Sequence, residues 1–263
     1  MTTRKIGINT DFIGQEISFE EGYRAVKEAG FEAVFVCDFI EETTERHIVA
    51  AKAEGLCFDT LHADWATINN MWSEGDEGER FLEKMKATVA LCTKHHIPTV
   101  IVHLSSGENP PHVNEKGASR FHMLVAEAAS KGVKIAFENQ RKLDHLAYFM
   151  EYYRQSETVG FCWDTGHESC FTMGKIDFMS LYGERLCALH IHDNNKIYND
   201  DAHLIPFDAQ IDFSRVAQKI RESGYEGTLM LELKRHAYAH LSVKDFLRRA
   251  YLAAAKLRNM IDG

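Results

Sequence analysis

A chain of 263 residues, 45% hydrophobic and 26% charged, has the make-up of an ordinary folded protein, which excludes a disordered or fibrous chain. Its formal charge of -9 and pI near 5.9 give no general attraction to a phosphate backbone, so nucleic acid is not an expected partner unless a local basic groove exists. The opening "MTTRKIGINTDF" holds no apolar core of signal-peptide length and no run approaches a membrane span, so the expected address is cytoplasmic, with no membrane partner.

Short apolar runs recur in chain order: "KIGINTDF", "EAVFVCDF", "LCFDTLHADW", "PTVIVHLSS", "VKIAFENQ", "VGFCWDTGH", "LCALHIHDN" and "TLMLELK". Each is rich enough in β-branched or aromatic residues for a strand buried on both faces, as parallel strands covered by helices are. Between them lie stripes of helical spacing, such as Phe81, Met85, Val89 and Cys92, or Phe213, Val216, Ala217 and Ile220. Ser18 with Glu21, and Ser242 with Asp245, match the side-chain pattern of a helix start, while Gly30, Gly55, Gly132 and Gly224 follow helical stretches and suit their ends. Only four prolines and no Ser/Gly-rich linker interrupt the alternation, so residues 1–263 are expected to form one α/β domain, a single (β/α)8 barrel. Six cysteines, Cys37, Cys57, Cys92, Cys162, Cys170 and Cys187, include no CxxC pair and are expected to be reduced and mostly buried.

Barrels of this type build their sites at the C-terminal ends of the strands. The residues closing the runs are Asn9 and Asp11, Asp38, His62 and Asp64, His103, Glu138 and Asn139, Asp164 and His167, His190, His192 and Asp193, then Glu232 and Lys234. Any one strand-end histidine is more often a hydrogen-bonded structural residue. Taken together, Glu138, Asp164, His192 and Glu232 come from four consecutive strands whose ends face a common centre. Three carboxylates converging there would repel one another unless a cation lay between them, so one divalent metal ion is expected. Three oxygen donors and one nitrogen suit Mn, Co or Mg and can also hold Zn. His190 and His192 point to the same side of their strand, so either could supply the nitrogen; His192 is preferred because it lies nearer the strand's C-terminal end.

The motifs "IAFEN", "CWDTGH", "LHIHDN" followed by "DDAHLIPFDAQIDF", and "LMLELK" in this order resemble the xylose-isomerase-like TIM barrels, which include sugar isomerases, ketose 3-epimerases and inosose dehydratases. The resemblance implies a metal held by Glu138, Asp164, His192 and Glu232, with Glu138 and Glu232 also forming the acid/base pair. It implies an enediolate route that either inverts a carbon or moves a carbonyl, and dehydration of an inosose fits the same site. His167 resembles the family histidine that bonds substrate oxygen. Where some epimerases carry an arginine after strand seven, this chain has "NDDAHLIPFD", with His203 the nearest polar group. His62, His103 and Lys234 complete the expected substrate-binding set, and the substrate is a sugar, a sugar phosphate or a cyclitol. For a phosphate arm, Lys196, Arg141 and Lys234 are scattered candidates. Phe12, Trp65, Trp163 and Phe207 are candidate apolar walls, with core packing the commoner role for any one aromatic.

A second resemblance is to the endonuclease-four type apurinic endonucleases, which use three zinc ions. Their ligand types are matched by His62, His103, Glu138, Asp164 with His167, His192, Asp201 with His203, and Glu232. The segments after the strands, such as "HADWATINNMWSEGDEGE", are acidic to neutral and lack the clustered Arg and Lys that grip DNA, which ranks sugar chemistry first. A non-catalytic metal or sugar binder is the third class, and the paired glutamates argue against it. Dimers and tetramers are common among such relatives, so a homo-oligomer is the matching expectation, with aromatics near "WATINNMW" serving as a lid or a subunit contact.

Overall fold

Every run expected to be a strand carries one. The computed structural model describes residues 4–37 and 40–263. Its parallel strands are β1 (Ile6–Asn9), β2 (Ala33–Phe35), β3 (Cys57–Phe58), β4 (Thr60–His62), β5 (Thr99–Val102), β6 (Lys134–Glu138), β7 (Val159–Asp164), β8 (Leu186–His190) and β9 (Leu229–Leu231). They pair in the orders β3-β2-β1-β9 and β4-β5-β6-β7-β8. Asp59 alone separates β3 from β4, so the third run is one barrel strand broken at that residue. At the other seam Ile191 bridges Leu231, and the two sheets close into a (β/α)8 barrel.

The helices are α1 (Phe19–Ala29), α2 (Glu41–Ala53), α3 (Asp76–His95), α4 (Glu115–Ser130), α5 (Leu143–Tyr152), α6 (Thr165–Phe171), α7 (Phe178–Tyr182), α8 (Phe213–Ser223) and α9 (Val243–Asp262). The expected stripes are buried in α3 and α8. Ser18 and Ser242 accept the backbone N–H of Glu21 and Asp245, capping α1 and α9. Gly30 and Gly224 end α1 and α8 in the left-handed region. Among the described residues no helix is long and apolar enough to cross a membrane.

Strand side chains alternate between two cores. Val100, Val102, Ile135, Phe137, Phe161 and Leu189 join the large core beneath the helices. Their neighbours Ile101, Ala136, Cys162 and Ala188 form a separate small cluster, and Ala33, Phe35 and Met230 another; these line the inside of the barrel. The "WATINNMW" segment is fastened from below: the buried Arg120 donates to the carbonyls of Met71, Ser73 and Gly75 at 2.8, 2.6 and 3.2 Å. Trp72 is thereby core, while Trp65 stays 43% exposed.

Candidate metal centre

The inward positions decide which polar groups meet. Two residues beyond Ile101, Ala136, Cys162, Ala188 and Met230 stand His103, Glu138, Asp164, His190 and Glu232, pointing the same way one layer higher. Donor atoms of Glu138, Asp164, His190 and Glu232 all lie within 4.8 Å of one another. His190 Nδ1 is 3.3 Å from Glu138 Oε2 and 3.4 Å from Glu232 Oε2. Asp164 and His190 are register partners in the β7/β8 pair, which puts them at one level. His192 is a further step up the same face and joins His167, Asp201 and His203 in a neighbouring group instead. Of the two histidines that the sequence offered, His190 is thus the one that shares a group with all three carboxylates, whereas His192 reaches only Asp164 among them.

Asp164 has two duties, which answers why a carboxylate sits where β7 meets a helix. Its Oδ1 accepts the N–H of His167 at 2.5 Å and so caps α6. Both its oxygens stand 3.1 Å from His192 Nε2. At the third position of "DTGH" only glycine fits, since a Cβ on Gly166 would lie 1.8 Å from the His192 ring. Asn139 holds this corner by exchanging bonds with the Asp164 backbone, at 2.8 Å to its N–H and 2.9 Å to its carbonyl.

A third group, His62, His103 and Glu138, shares its glutamate with the first. Glu138 Oε2 is 3.4 Å from His62 Nε2 and 3.1 Å from His103 Nε2, while Oε1 is 3.1 Å from His167 Nδ1. Second bonds orient several rings. His62 Nδ1–H donates to the Ala63 carbonyl at 2.7 Å and His203 Nδ1–H to the Glu232 carbonyl at 2.9 Å, leaving each Nε2 free to face its group. His203 Nε2 lies 2.7 Å from Asp201 Oδ2. Gln140, which the sequence did not single out, bridges His103 and His167 at 3.1 and 3.0 Å. Cys37, also not singled out for the site, lies two residues beyond the inward Phe35, with its Sγ 3.7 Å from Glu232 Oε1.

The electrostatics fit a cation. Burial would raise the Glu138 pKa, but His190 and His103 beside it hold it well below the usual carboxylate range. Burial would lower that of His190, but Glu232 and Glu138 push it up to about 9. His167 is likewise driven well up, with Asp164 and Asp201 outweighing its burial. Protons on imidazoles thus balance the converged carboxylates. Among the described residues neither ring nitrogen of His190 has a hydrogen bond, nor do His103 Nδ1, His192 Nδ1 and Asp201 Oδ1, all buried. Orphaned donors and acceptors gathered at one spot, with an oxygen-rich set, are what a divalent ion would satisfy.

Above this cluster opens a cavity of about 610 Å³, bordered by Glu232, His62, His103, His167, His203 and Lys234. His62, His103, His167, His203 and Lys234, the expected substrate-binding set, therefore border it, while Lys196 does not, and of the two expected acid/base glutamates only Glu232 does; Glu138 lies behind the histidines, 1% exposed. Phe12 and Trp65 reach the cavity, whereas Trp163 is buried with its Nε1 on Glu168 and Phe207 packs on Phe213. Asp64 turns away to Lys84 and the Ala66 N–H. Asp193 secures the backbone N–H groups of Ala209 and Ile211, and Asn9 clasps the backbone of Leu233. Asp38 falls outside the described residues.

Comparison with known proteins agrees with this architecture. The chain is 30% identical over 192 residues to the Sinorhizobium fredii protein y4fM and 29% identical over 122 residues to the Methanocaldococcus jannaschii protein MJ1311, matches that cover 68% and 42% of this chain. They span 61% and 40% of those proteins' lengths. Among solved structures, a xylose isomerase domain protein from Alicyclobacillus acidocaldarius superposes with a TM-score of 0.77 at 20% identity, covering 99% of this chain and 100% of that one. A D-psicose 3-epimerase from Clostridium cellulolyticum does so with 0.77 at 14%, covering 98% and 100%. A 3-keto-D-glucoside 4-epimerase from E. coli gives 0.72 at 16%, covering 97% and 99%. At these identities the likeness shows the fold. The family model described as xylose isomerase-like TIM barrel matches residues 14–257, nearly the whole chain, and the chain belongs to that family.

Proposed function

We propose that the protein is a divalent-metal-dependent isomerase or epimerase of a sugar-like substrate. The observation that carries this reading is the inward layer of three carboxylates and one imidazole, Glu138, Asp164, His190 and Glu232, with Glu232 opening onto the cavity. A Mn, Co, Mg or Zn ion bound there would polarise a carbonyl and its neighbouring hydroxyl and stabilise an enediolate. Glu232 takes the proton from carbon on the side facing the cavity. The opposite face is served by Glu138 acting with His103, which stands 3.1 Å in front of it on the cavity wall. His62, His167, His203 and Lys234 hold substrate oxygens. The named activities of the two epimerases with the same fold point to this chemistry, and elimination of water from a cyclitol ketone would use the same base and ion, with an acid on the cavity wall giving its proton to the leaving hydroxyl.

The test is metal content per chain by elemental analysis, followed by exchange of substrate carbon-bound hydrogen with solvent deuterium. About one ion per chain and exchange on a ketose or inosose are expected. Glu232→Gln should leave the fold intact and slow exchange by roughly 10²- to 10⁴-fold; unchanged exchange rejects the role. A second reading is favoured by one observation: the groups His62/His103/Glu138 and His167/His192/Asp201/His203 adjoin the first. Close to three zinc ions per chain, with cleavage of abasic DNA, would replace the isomerase by a phosphodiester hydrolase.

A further inference from the structure

The cavity wall carries a cation with no carboxylate partner among the described residues. Arg141, just beyond β6, is half-buried there. Its Nε and Nη2 both bond one neutral oxygen, Asn199 Oδ1, at 3.0 and 2.5 Å. Its guanidinium carbon lies 3.5 Å from the centre of the Phe171 ring, and Phe171 stacks on His167 with ring centres 4.6 Å apart and planes 19° from parallel. Held by a face and one edge, the group keeps its Nη1 edge unbonded among the described residues. Of the other cations on the wall, Arg235 is committed to the carbonyls of Tyr238 and Leu241 and to Glu16, and Lys234 lies against the carbonyl and carboxylate of Asp201, so it is left to a substrate hydroxyl beside the reacting end. An oriented guanidinium edge matches two oxygens of a carboxylate or phosphate, whereas a neutral sugar would meet it with hydroxyls alone.

We propose that Arg141 receives a terminal oxyanion of the substrate, so that the substrate is a sugar acid or a sugar phosphate and not a neutral sugar. The inference deepens the isomerase reading and rests on it only for the reacting end. The stack sets Arg141 one ring, that of Phe171, away from His167, on the wall that also borders Glu232, so a short carbon chain would join the anion to the reacting carbons. The competing role is a strut that steadies the loop of Asn199 and Asp201.

Metal-loaded full-length protein should be titrated calorimetrically with D-fructose 6-phosphate, D-fructuronate and D-fructose, one skeleton with a phosphate, a carboxylate or a neutral end. At least one anion is expected to bind tenfold or more tightly than fructose, and the tighter one identifies the anion. Arg141→Gln should weaken that binding by roughly 10- to 100-fold, Arg141→Lys should restore part of it, and Asn199→Ala should keep it, with metal content the same in all. The proposal is overturned if fructose binds as well as both anions, if Arg141→Gln has no effect, or if Asn199→Ala reproduces its loss as a strut would. Deuterium exchange measured alongside separates the two readings. Arg141-dependent binding without exchange sinks the isomerase and keeps the anion arm, and exchange on fructose indifferent to Arg141→Gln does the reverse.

Discussion

Two adjacent layers inside the barrel are made from the same strands and opposite materials. The lower one, with Ile101, Ala136, Cys162, Ala188 and Met230, is apolar and tight enough that a Cβ on Gly7 would lie 2.6 Å from the Met230 sulfur. The upper one, two residues on, is His103, Glu138, Asp164, His190 and Glu232. The packed floor keeps water from the underside of the cluster, where charge interactions are strongest in a low dielectric. The contrast teaches that position along a strand, counted in steps of two from an apolar residue, assigns a polar side chain to the floor of the site or to its rim.

The sharpest way to break this contrast is at the two histidines of β8. His190→Ala should empty the four-donor group and slow carbon exchange by at least about 10²-fold, whereas His192→Ala should keep that ion. Elemental analysis of both variants decides, and the reverse pattern would return the ligand to His192. Next in size is the floor. Ala136→Leu should cost about 1–3 kcal/mol by overpacking and lower the Tm while the ion stays bound; an equal loss of the ion would mean the two layers do not act separately.

The smallest effect is a pH dependence confined to the upper layer. The folded-state pKa of His190 is raised from 6.5 to about 9, because Glu232 and Glu138 outweigh its burial. Its contribution to the stability of metal-free protein is therefore full below about pH 6.5 and is lost as the pH rises through about 9. Metal-loaded protein, in which an ion replaces that proton, should lack this decline in thermal melts, and Ala136→Leu should lower the metal-free curve without changing its shape. A metal-free Tm that rises between pH 6.5 and 9 would contradict the assignment.

Strands, helix caps and the run of strand-end acids and histidines were legible because alternation and capping are local rules. The level of each side chain was not, since it depends on how neighbouring strands are staggered. Counting back from His190 to Ala188 finds the layer, but only once Ala188 is known to face inward. The same count from Phe35 would have found Cys37. Gln140 carries no spacing signal, because its role depends on two histidines from different strands. Asp64 misled for the opposite reason: past the end of β4 the chain turns and the alternation stops, which frees its carboxylate to secure a loop, whereas Asp193 is one step off the inward face of His190 and His192 and bridges Leu204.

The double use of Asp164 bears on how relatives of this chain are to be sorted. An acid that also caps α6 is retained by the demands of folding even in a relative that binds no ion, so its presence there says little about activity. Glu232 caps nothing, and its carboxylate faces the side chains of the site, with Cys37, His190 and His203 within 3.7 Å. With no cap to hold it in place, it is the position at which, on the isomerase reading, a relative that has lost the activity should change first.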